Sequence, residues 1–284
     1  MKQTTNNQII KNLNLGQMSA PVFAFTKIKL YGGDFEKMDW IKKIGWLNDL
    51  KADFILNFVS DNRWKFITSG LKNTLIITFL AVLIGVALGM IVAVVRSSYD
   101  KNYADMHKGF NKFLLKIANA ICKIYLTVIR GTPVVVQLMI MYYIIFATSR
   151  NSLMVAVIAF GINSGAYVAE IVRSGIMSID QGQLEAGRSL GFDYKRTMWY
   201  IIIPQAFKNI LPALANEFIV LLKETSVAGY VTIRDLTMGG NIIRAATYSA
   251  FMPLIAVALI YLVLVMFFTK IVSILERSLR KSER

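Results

Sequence analysis

Two long apolar runs without a charged side chain limit what this chain can fold into. The first covers residues 73–95 and the second covers residues 245–269. A helix that crosses about 30 Å of hydrocarbon needs roughly 20 apolar residues, and each run is long enough. The sequence therefore predicts an all-α integral membrane protein.

Three weaker candidate spans lie between these two runs, at residues 131–148, 151–170 and 201–222. The last of them contains Lys208 and Glu217, so it is not expected to face lipid on all sides. Composition agrees with several spans, because 55% hydrophobic and 17% charged residues are too apolar for an ordinary soluble domain. We predict about five transmembrane helices in a domain covering residues 66–280.

The distribution of Lys and Arg predicts the orientation. A net charge of +15 is compatible with nucleic acid, but cations that flank apolar runs are more typical of orientation in the membrane. If the first span runs inward, fifteen Lys or Arg lie in cytoplasmic segments and four lie in the external loops after the second and fourth spans. The N-terminal 72 residues, with eleven Lys or Arg and six acids, do not follow this pattern, because the same orientation puts them outside. This predicts a multi-pass plasma-membrane protein whose residues 170–200 and C-terminus, with its basic tail at 281–284, are cytoplasmic.

Two further segments are amphipathic rather than fully apolar. Residues 1–65 form a predicted extension in which Trp, Ile, Leu and Phe mix with Lys and Asp, as in helices that lie on a membrane surface. Residues 112–130 carry Lys112, Lys116 and Lys123 among apolar positions. Helical spacing predicts an in-plane cytoplasmic helix that leads into the second span.

Polar side chains inside predicted spans are candidate functional residues, because burying them in lipid is costly. Gln137, Asn163 and Glu170 are three of them. Gln137 and Asn163 have an alternative role as interhelical hydrogen-bonding residues. Glu170 has an alternative role as an ion-pair partner.

A fourth candidate site is a polar cluster at the outer end of the fourth span. It consists of Lys223, Glu224, Thr225 and Ser226. A cation, a carboxylate and two hydroxyls together suit a zwitterion such as an amino acid. The alternative is that the lysine and the glutamate only neutralise each other. A cationic substrate would favour Glu170 or Glu217, an acidic one Lys or Arg, and both types are present.

A polar stretch at residues 183–204, "QLEAGRSLGFDYKRTMWYIIIP", interrupts the apolar pattern. It predicts a short helix that ends at Gly191, with small residues on one face. A soluble partner can grip such a helix and move it as a lever, which makes this stretch a predicted coupling element. Its candidate residues are Glu185, Ala186, Gly187, Ser189, Gly191 and Pro204.

This stretch resembles the "EAA" loop of ABC-transporter permease subunits. Glu185, Ala186, Gly191, Ile201 and Pro204 are in register with its pattern of Glu-Ala-Ala, a later Gly and Ile-x-Leu-Pro. The sequence departs from the pattern with Gly for the second Ala and Ile for the Leu.

Further motifs extend the resemblance to the polar amino-acid importer branch of histidine, arginine, glutamine and glutamate type. The motifs are "RGTPVVVQLMIMYY", "NSGAYVAEIVRSGI", "GQLEAGRSLG" and "IIPQAFKNILPALANEFIVLLKETS". The resemblance covers residues 66–280 and leaves the first 65 residues outside it.

The resemblance implies a MetI-like permease with a cytoplasmic coupling helix and a substrate site at residues 223–226 and on the second and third spans. It implies two ATP-binding subunits, a second permease subunit that is identical or paralogous, and an extracytoplasmic amino-acid-binding protein. The sequence has no phosphate-binding loop of the form GxxxxGK(S/T), so ATP-Mg is expected on the partner subunit and no enzymatic activity or cofactor on this chain. An ion-coupled secondary carrier and a membrane regulator that recruits a soluble ATPase are the alternatives.

Overall fold

The computed structural model describes residues 49–103 and 109–281. Most of the predicted N-terminal extension, Lys108 and the end of the basic tail lie outside these ranges. The chain divides into two compact units, Met1–Trp64 and Lys65–Arg284. The described part of the first unit is helical at 49–54, continues as a π-helical turn at Ile55–Val59 and ends in a 3-10 turn at Ser60–Asn62.

The second unit is built from helices, and its described residues include no β-strand. Its first half contains α1 (Trp64–Asn102), α2 (Phe110–Gly131), α3 (Val134–Ile140, extended by a π-helical turn at Met141–Ile145) and α4 (Ser152–Met177). Its second half contains α5 (Gln181–Ser189), α6 (Tyr194–Thr197, extended by a π-helical turn at Met198–Ile202), α7 (Ile203–Glu224), α8 (Leu236–Thr247) and α9 (Phe251–Lys281). A 3-10 helix at Thr225–Val231 follows α7.

Three described helices are long and apolar enough to cross a membrane, namely α1, α4 and α9. The α2–α3 pair would add a fourth crossing if its two bent parts count as one span. The fourth predicted span, at 201–222, lies in α7 and its preceding turn. Lys208 and Glu217 lie within α7, which is not among the described helices that are apolar enough to cross, so the fifth crossing stays a prediction.

The second predicted span differs from the structure. Within residues 131–148, the helix is shorter than predicted, since it begins at Val134 and ends at Ile145. The preceding α2 meets this short segment at an angle of 111°. Thr132 and Pro133 are extended at the bend, and a proline has no N–H with which to continue the hydrogen-bond ladder of α2. A helix of this length covers about 18 Å, which is too short to span hydrocarbon alone.

The last apolar run is divided between two helices. The predicted span at 245–269 begins inside α8, which ends at Thr247, and α9 starts only at Phe251. Tyr248 separates the two helices in a left-handed conformation, with φ of 53°. The crossing is therefore shifted toward the C-terminus relative to the prediction.

Small residues bring α1 and α4 into close contact. Cβ atoms built at Gly85 and Gly89 would lie 2.9 Å or less from atoms of Ser164 and Ala169, respectively, and one at Gly161 would lie 2.8 Å from Ile84. The contacts advance along both helices in the same direction, so α1 and α4 are parallel. Two parallel crossings require the α2–α3 segment between them to return across the membrane.

Helix α7 packs against α4 in the opposite direction. Ser164 hydrogen-bonds to Glu217 near the middle of both helices, whereas Ser178 after α4 hydrogen-bonds to Asn209. Val168, Val172, Ala206 and Ile210 fill the space between these two contacts. Because α4 is covered by α1, α2 and α7, it forms the centre of the described fold.

The first turn of α8 is fixed to α1. The carboxylate of Asp235 caps α8 by accepting from the N–H groups of Thr237 and Met238 at 3.0 and 3.1 Å. Burial raises the pKa of this carboxyl, whereas these N–H groups act to lower it. The Leu236 N–H donates to the hydroxyl of Thr74 in α1.

The α1–α4 contact generates a prediction about stability. We expect Gly161→Ala to destabilise the purified protein by about 1–3 kcal/mol, because its methyl group overlaps Ile84. The measurement is thermal unfolding of the protein in detergent. Gly131→Ala is the matched control, since a Cβ there meets no atom within 4 Å. Equal melting temperatures for the two variants would contradict the close contact.

Candidate functional site

The predicted coupling stretch forms a capped helix. Asp180 accepts a hydrogen bond from the Gly182 N–H at 2.6 Å at the start of α5. At its end, the Phe192 N–H donates to the Gly187 carbonyl at 3.1 Å, and the Gly191 N–H donates to Arg188 at 2.9 Å. Gly191 has φ of 82°. These bonds form a Schellman motif around a left-handed glycine, which agrees with the predicted stop at this residue.

One surface of α5 is available for contact with another protein. Glu185, Ala186, Arg188 and Ser189 are exposed, and the adjoining Leu190 is 73% exposed. Leu190 adds an apolar side chain to this otherwise polar surface. We call these five residues the coupling surface.

Gly187 lies on the opposite, buried side of α5. A Cβ at this position would lie 2.5 Å from Thr197 Cγ2, 2.9 Å from Thr197 Oγ1 and 3.1 Å from Ile201 Cδ1. Thr197 is itself buried, and its hydroxyl donates to the Asp193 carbonyl at 2.9 Å. The departure from Ala in the loop pattern therefore accommodates a threonine packed against the helix.

Hydrogen bonds connect the coupling stretch to α7. Gln205 Nε2 donates to Gln183 Oε1 at 3.2 Å and to the Ile201 carbonyl at 2.9 Å. Pro204, which is exposed, has no N–H for the helical ladder, and the π-helical turn ends two residues before it. The stretch is thus attached to α7 through side chains as well as through the backbone.

Gln137 occupies the bend between α2 and α3. Its Nε2 donates to the Ile129 carbonyl at 2.7 Å and to the Thr132 hydroxyl and carbonyl at 2.7 and 3.1 Å. Its Oε1 accepts from Asn163 Nδ2 at 2.9 Å. The end of a helix leaves carbonyls without intrahelical partners, and this side chain supplies a donor for them. These contacts support the structural alternative for Gln137.

Asn163 belongs to a polar layer in the middle of α4. Its Oδ1 is buried without a hydrogen-bond partner. The next residue, Ser164, donates its hydroxyl to Glu217 Oε1 at 2.9 Å, and Tyr125 donates to the Ile162 carbonyl at 2.6 Å. The layer therefore joins α2, α3, α4 and α7.

Glu170 lies farther along α4 in a chain of ion pairs. Its carboxylate is 3.6 Å from Arg130 and 3.8 Å from Arg173, and Arg173 is 3.3 Å from Asp100. The side chains are 28–43% exposed, so these contacts are partly screened by solvent. This arrangement supports an ion-pair role for Glu170.

The polar cluster after Glu217 is less compact than its sequence suggests. Lys223 is exposed, Glu224 and Ser226 are half-buried, and Thr225 is buried. The Thr225 hydroxyl donates to the Leu222 carbonyl at 2.8 Å. In the described residues, no hydrogen bond or ion pair links this cluster to Gln137, Asn163 or Glu170. The predicted site residues are thus divided among three places on α3, α4 and α7.

Glu217 also lies in this region. From the sequence, it was expected to bind substrate only if the substrate is cationic. It is 7% exposed, and Ser164 is its hydrogen-bond partner. Its position inside an apolar helix was visible in the sequence, but the partner on α4 was not. Tyr125 and Thr197 were missed because nothing in their local sequence indicates a long-range contact.

A polar cavity of about 650 Å³ opens beside α7. It is lined by Lys208, Asn209, Pro212, Ala213, Asn216, Glu276 and Leu279. In the two described ranges, no group of three or more His, Cys, Asp or Glu residues is arranged to hold a metal ion. The polar groups suit water or a polar solute better than lipid.

The family model and the relatives that match this chain are all membrane components of transport systems. Residues 112–281 match the family described as "Binding-protein-dependent transport system inner membrane component". The arginine transport system permease protein ArtQ of Bacillus subtilis (strain 168) is 38% identical over 77% of this chain and 94% of its own length. The glutamine transport system permease protein GlnP of Escherichia coli (strain K12) is 38% identical over 58% of this chain and 77% of its own length.

Solved structures agree with the fold. The crystal structure of an amino acid ABC transporter with histidines has a chain that is 42% identical, with a TM-score of 0.68 over 78% of this chain and 98% of that one. An inward-facing MetNI methionine ABC transporter matches with a TM-score of 0.64 over 78% and 99% of the two chains. At 20% identity, the second match supports the fold alone.

The Gly187 contact generates the second prediction. An alanine in place of an exposed helical glycine usually stabilises by about 1 kcal/mol, but here we expect Gly187→Ala to lower the melting temperature, because its methyl group overlaps Thr197. Thr197→Ala in the same chain removes both close atoms and is expected to recover most of the loss. The measurement is thermal unfolding of the two variants. A double variant no more stable than Gly187→Ala would contradict this packing.

Proposed function

The chain belongs to the family of binding-protein-dependent transport system inner membrane components, and from this premise we propose how it works as a permease subunit of an amino-acid ABC importer. The family match over residues 112–281 carries the assignment. A MetI-like, all-α membrane fold accompanies it. The proposal concerns partners, orientation and site residues.

We propose that the coupling surface binds ATP-binding subunits, two per complex, which hold ATP-Mg and hydrolyse it. The exposed face of α5, with its capped ends and its leucine, supports a protein contact. A second permease subunit, identical or paralogous, and an extracytoplasmic amino-acid-binding protein complete the proposed assembly. In this arrangement, α5 and the C-terminus lie in the cytoplasm.

Movement of α5 would be transmitted to the membrane domain through α7. Thr197 packs beside Gly187, and the Gln205–Gln183 and Asn209–Ser178 bonds bind the loop to the first turns of α7. Because α7 is bonded to α4 through Glu217 and Ser164, a displacement of α5 would reach the polar layer. Closure of the ATP-binding subunits would thereby change access to the substrate path.

For the substrate, we propose an amino acid recognised by Lys223, Glu224, Thr225 and Ser226. Lys223 is exposed, so its ammonium group is available to a carboxylate, and Glu224 is half-buried beside it. The names of relatives include arginine, glutamine and L-cystine transport, which are all amino acids with polar side chains. Asn163, with its unpartnered Oδ1, supports a second polar contact within the domain.

Charge reversal on the coupling surface tests the contact with the ATPase. We expect Glu185→Lys to reduce substrate-stimulated ATP hydrolysis at least about tenfold, because an unpaired charge in an interface costs several kcal/mol. The measurement is ATPase activity of the reconstituted complex with its binding protein and substrate. Asp49→Lys, at an exposed acidic position in the other unit, is the control for net charge. Normal stimulation in Glu185→Lys would exclude this surface from coupling.

Truncation of the exposed lysine tests the substrate site. We expect Lys223→Ala to raise the KM for uptake about tenfold, because a charge-assisted hydrogen bond contributes roughly 1.5–3 kcal/mol. The measurement is amino-acid uptake into proteoliposomes, together with the yield of assembled complex. Lys72→Ala removes another exposed lysine and is expected to leave KM unchanged. A KM in Lys223→Ala equal to that of the control would remove Lys223 from the site.

A further inference from the structure

A basic and aromatic face lies on α6 and on the π-helical turn that joins α6 to α7. It consists of Lys195, Arg196, Trp199 and Tyr200, which are all exposed, the two aromatic residues by 69% and 74%. Residues four apart lie on one side of a helix, so these four side chains form two adjacent pairs on a single surface. Thr197 and Ile202 point away from this surface and are buried.

The polarity of the surface changes in a fixed order along the axis. The two cations come first, the two aromatic residues follow one turn later, and Phe207, 52% exposed, lies two turns beyond. At 1.5 Å per residue, the aromatic rings lie about 6 Å from the cations, and Phe207 lies about 12 Å beyond Trp199. The interfacial region of a bilayer is about 5–7 Å thick on each side, so this order matches phosphates, interface and hydrocarbon.

The cations of this face are available to an external anion. In the described part of the chain, neither Lys195 nor Arg196 forms an ion pair. The nearest acid in sequence, Asp193, uses Oδ1 to accept from the backbone N–H of Arg196 at 2.7 Å, as the N-cap of α6. The charge is therefore not neutralised within the described structure.

We infer that Lys195, Arg196, Trp199 and Tyr200 bind the headgroups of anionic phospholipids in the leaflet that α7 enters. The ammonium and guanidinium groups donate to lipid phosphates, and the indole and phenol rings lie at the interface with their polar atoms toward water. The coupling surface on α5 is a separate set of residues and stays free. Lipid contact fixes the height of the α5–α7 connection relative to the bilayer.

Fluorescence of Trp199 tests the contact directly. Replacing Trp40, Trp46 and Trp64 by Phe leaves Trp199 as the chain's only tryptophan. The full-length permease is placed in nanodiscs whose phospholipids carry bromine either near the headgroup end or near the methyl end of the acyl chain. We expect the shallow bromine to quench at least about twice as strongly as the deep one, because tryptophan at the interface lies nearer to it. Absence of quenching from both positions would overturn the inference.

Lipid selectivity tests the role of the cations. With shallow-brominated phosphatidylglycerol diluted into phosphatidylcholine, we expect quenching several-fold above that from the same fraction of brominated phosphatidylcholine, at about fivefold preference per cation near the surface. The double variant Lys195→Gln, Arg196→Gln is expected to lose this preference for phosphatidylglycerol. It is expected to keep the stronger quenching by the shallow bromine than by the deep one. Lys270→Gln removes an exposed cation from α9 and serves as the control.

An ATP-binding subunit is the alternative occupant of this face, and it would give a different result. If the face binds an ATP-binding subunit instead of lipid, adding that subunit will protect Trp199 from quenching, and the inference is then wrong. If quenching persists in the assembled complex, lipid is the occupant. Neither outcome uses transport activity, so failure here is distinguishable from failure of the coupling proposal.

Discussion

Close approach of helices around α4 is the constraint on which the rest of the structure depends. Lipid is as apolar as the side chains it replaces, so helices in a membrane gain little from hydrophobic burial and associate through tight packing and hydrogen bonds. Gly85, Gly89 and Gly161 allow α1 to approach α4. Gly175 allows the same on the other side, where a Cβ would overlap Ile210 of α7. The polar layer is placed where these packed helices meet, and its groups are shielded from lipid as a result.

Close packing around α4 divides the polar side chains into two kinds: those that are hydrogen-bonded or ion-paired within the fold, and those that have groups left to bind a ligand. Gln137 uses its amide to complete the broken end of α2 and to hold Asn163, so its hydrogen-bonding capacity is largely occupied inside the fold. The carboxylate of Glu170 is likewise held between two arginines. In contrast, Lys223 is exposed, and the Oδ1 atom of Asn163 has no hydrogen-bond partner in the described residues. A change of conformation that opens the helices would therefore expose an acceptor on Asn163 that does not hold the fold together.

The sequence predicted features that depend on local chemistry and missed those that depend on distant contacts. Hydropathy located the described helices that are long and apolar enough to cross a membrane. Gly191 correctly predicted the end of α5. Hydropathy does not detect where an apolar run bends, so the break at Thr132–Pro133 shortened one predicted span at its start, and the left-handed Tyr248 divided another between α8 and α9. For the candidate site, residue types were visible in the sequence. Which of them satisfy one another, as Ser164 and Glu217 do, depends on the packing of α4 against α7.

The geometry of the polar stretch at residues 183–204 is compatible with the proposed role as a coupling lever. A lever must be stiff along its length and attached at more than one point, since a single flexible attachment would absorb displacement. Helix α5 satisfies the first condition through its cap at Asp180 and its Schellman motif at Gly191. It satisfies the second through Thr197 beneath Gly187 and through the Gln183–Gln205 bond. Helical structure runs from Tyr194 through the π-helical turn to Glu224, about 45 Å at 1.5 Å per residue, so the proposed displacement of α5 would have a continuous helical path to the polar groups near the end of α7.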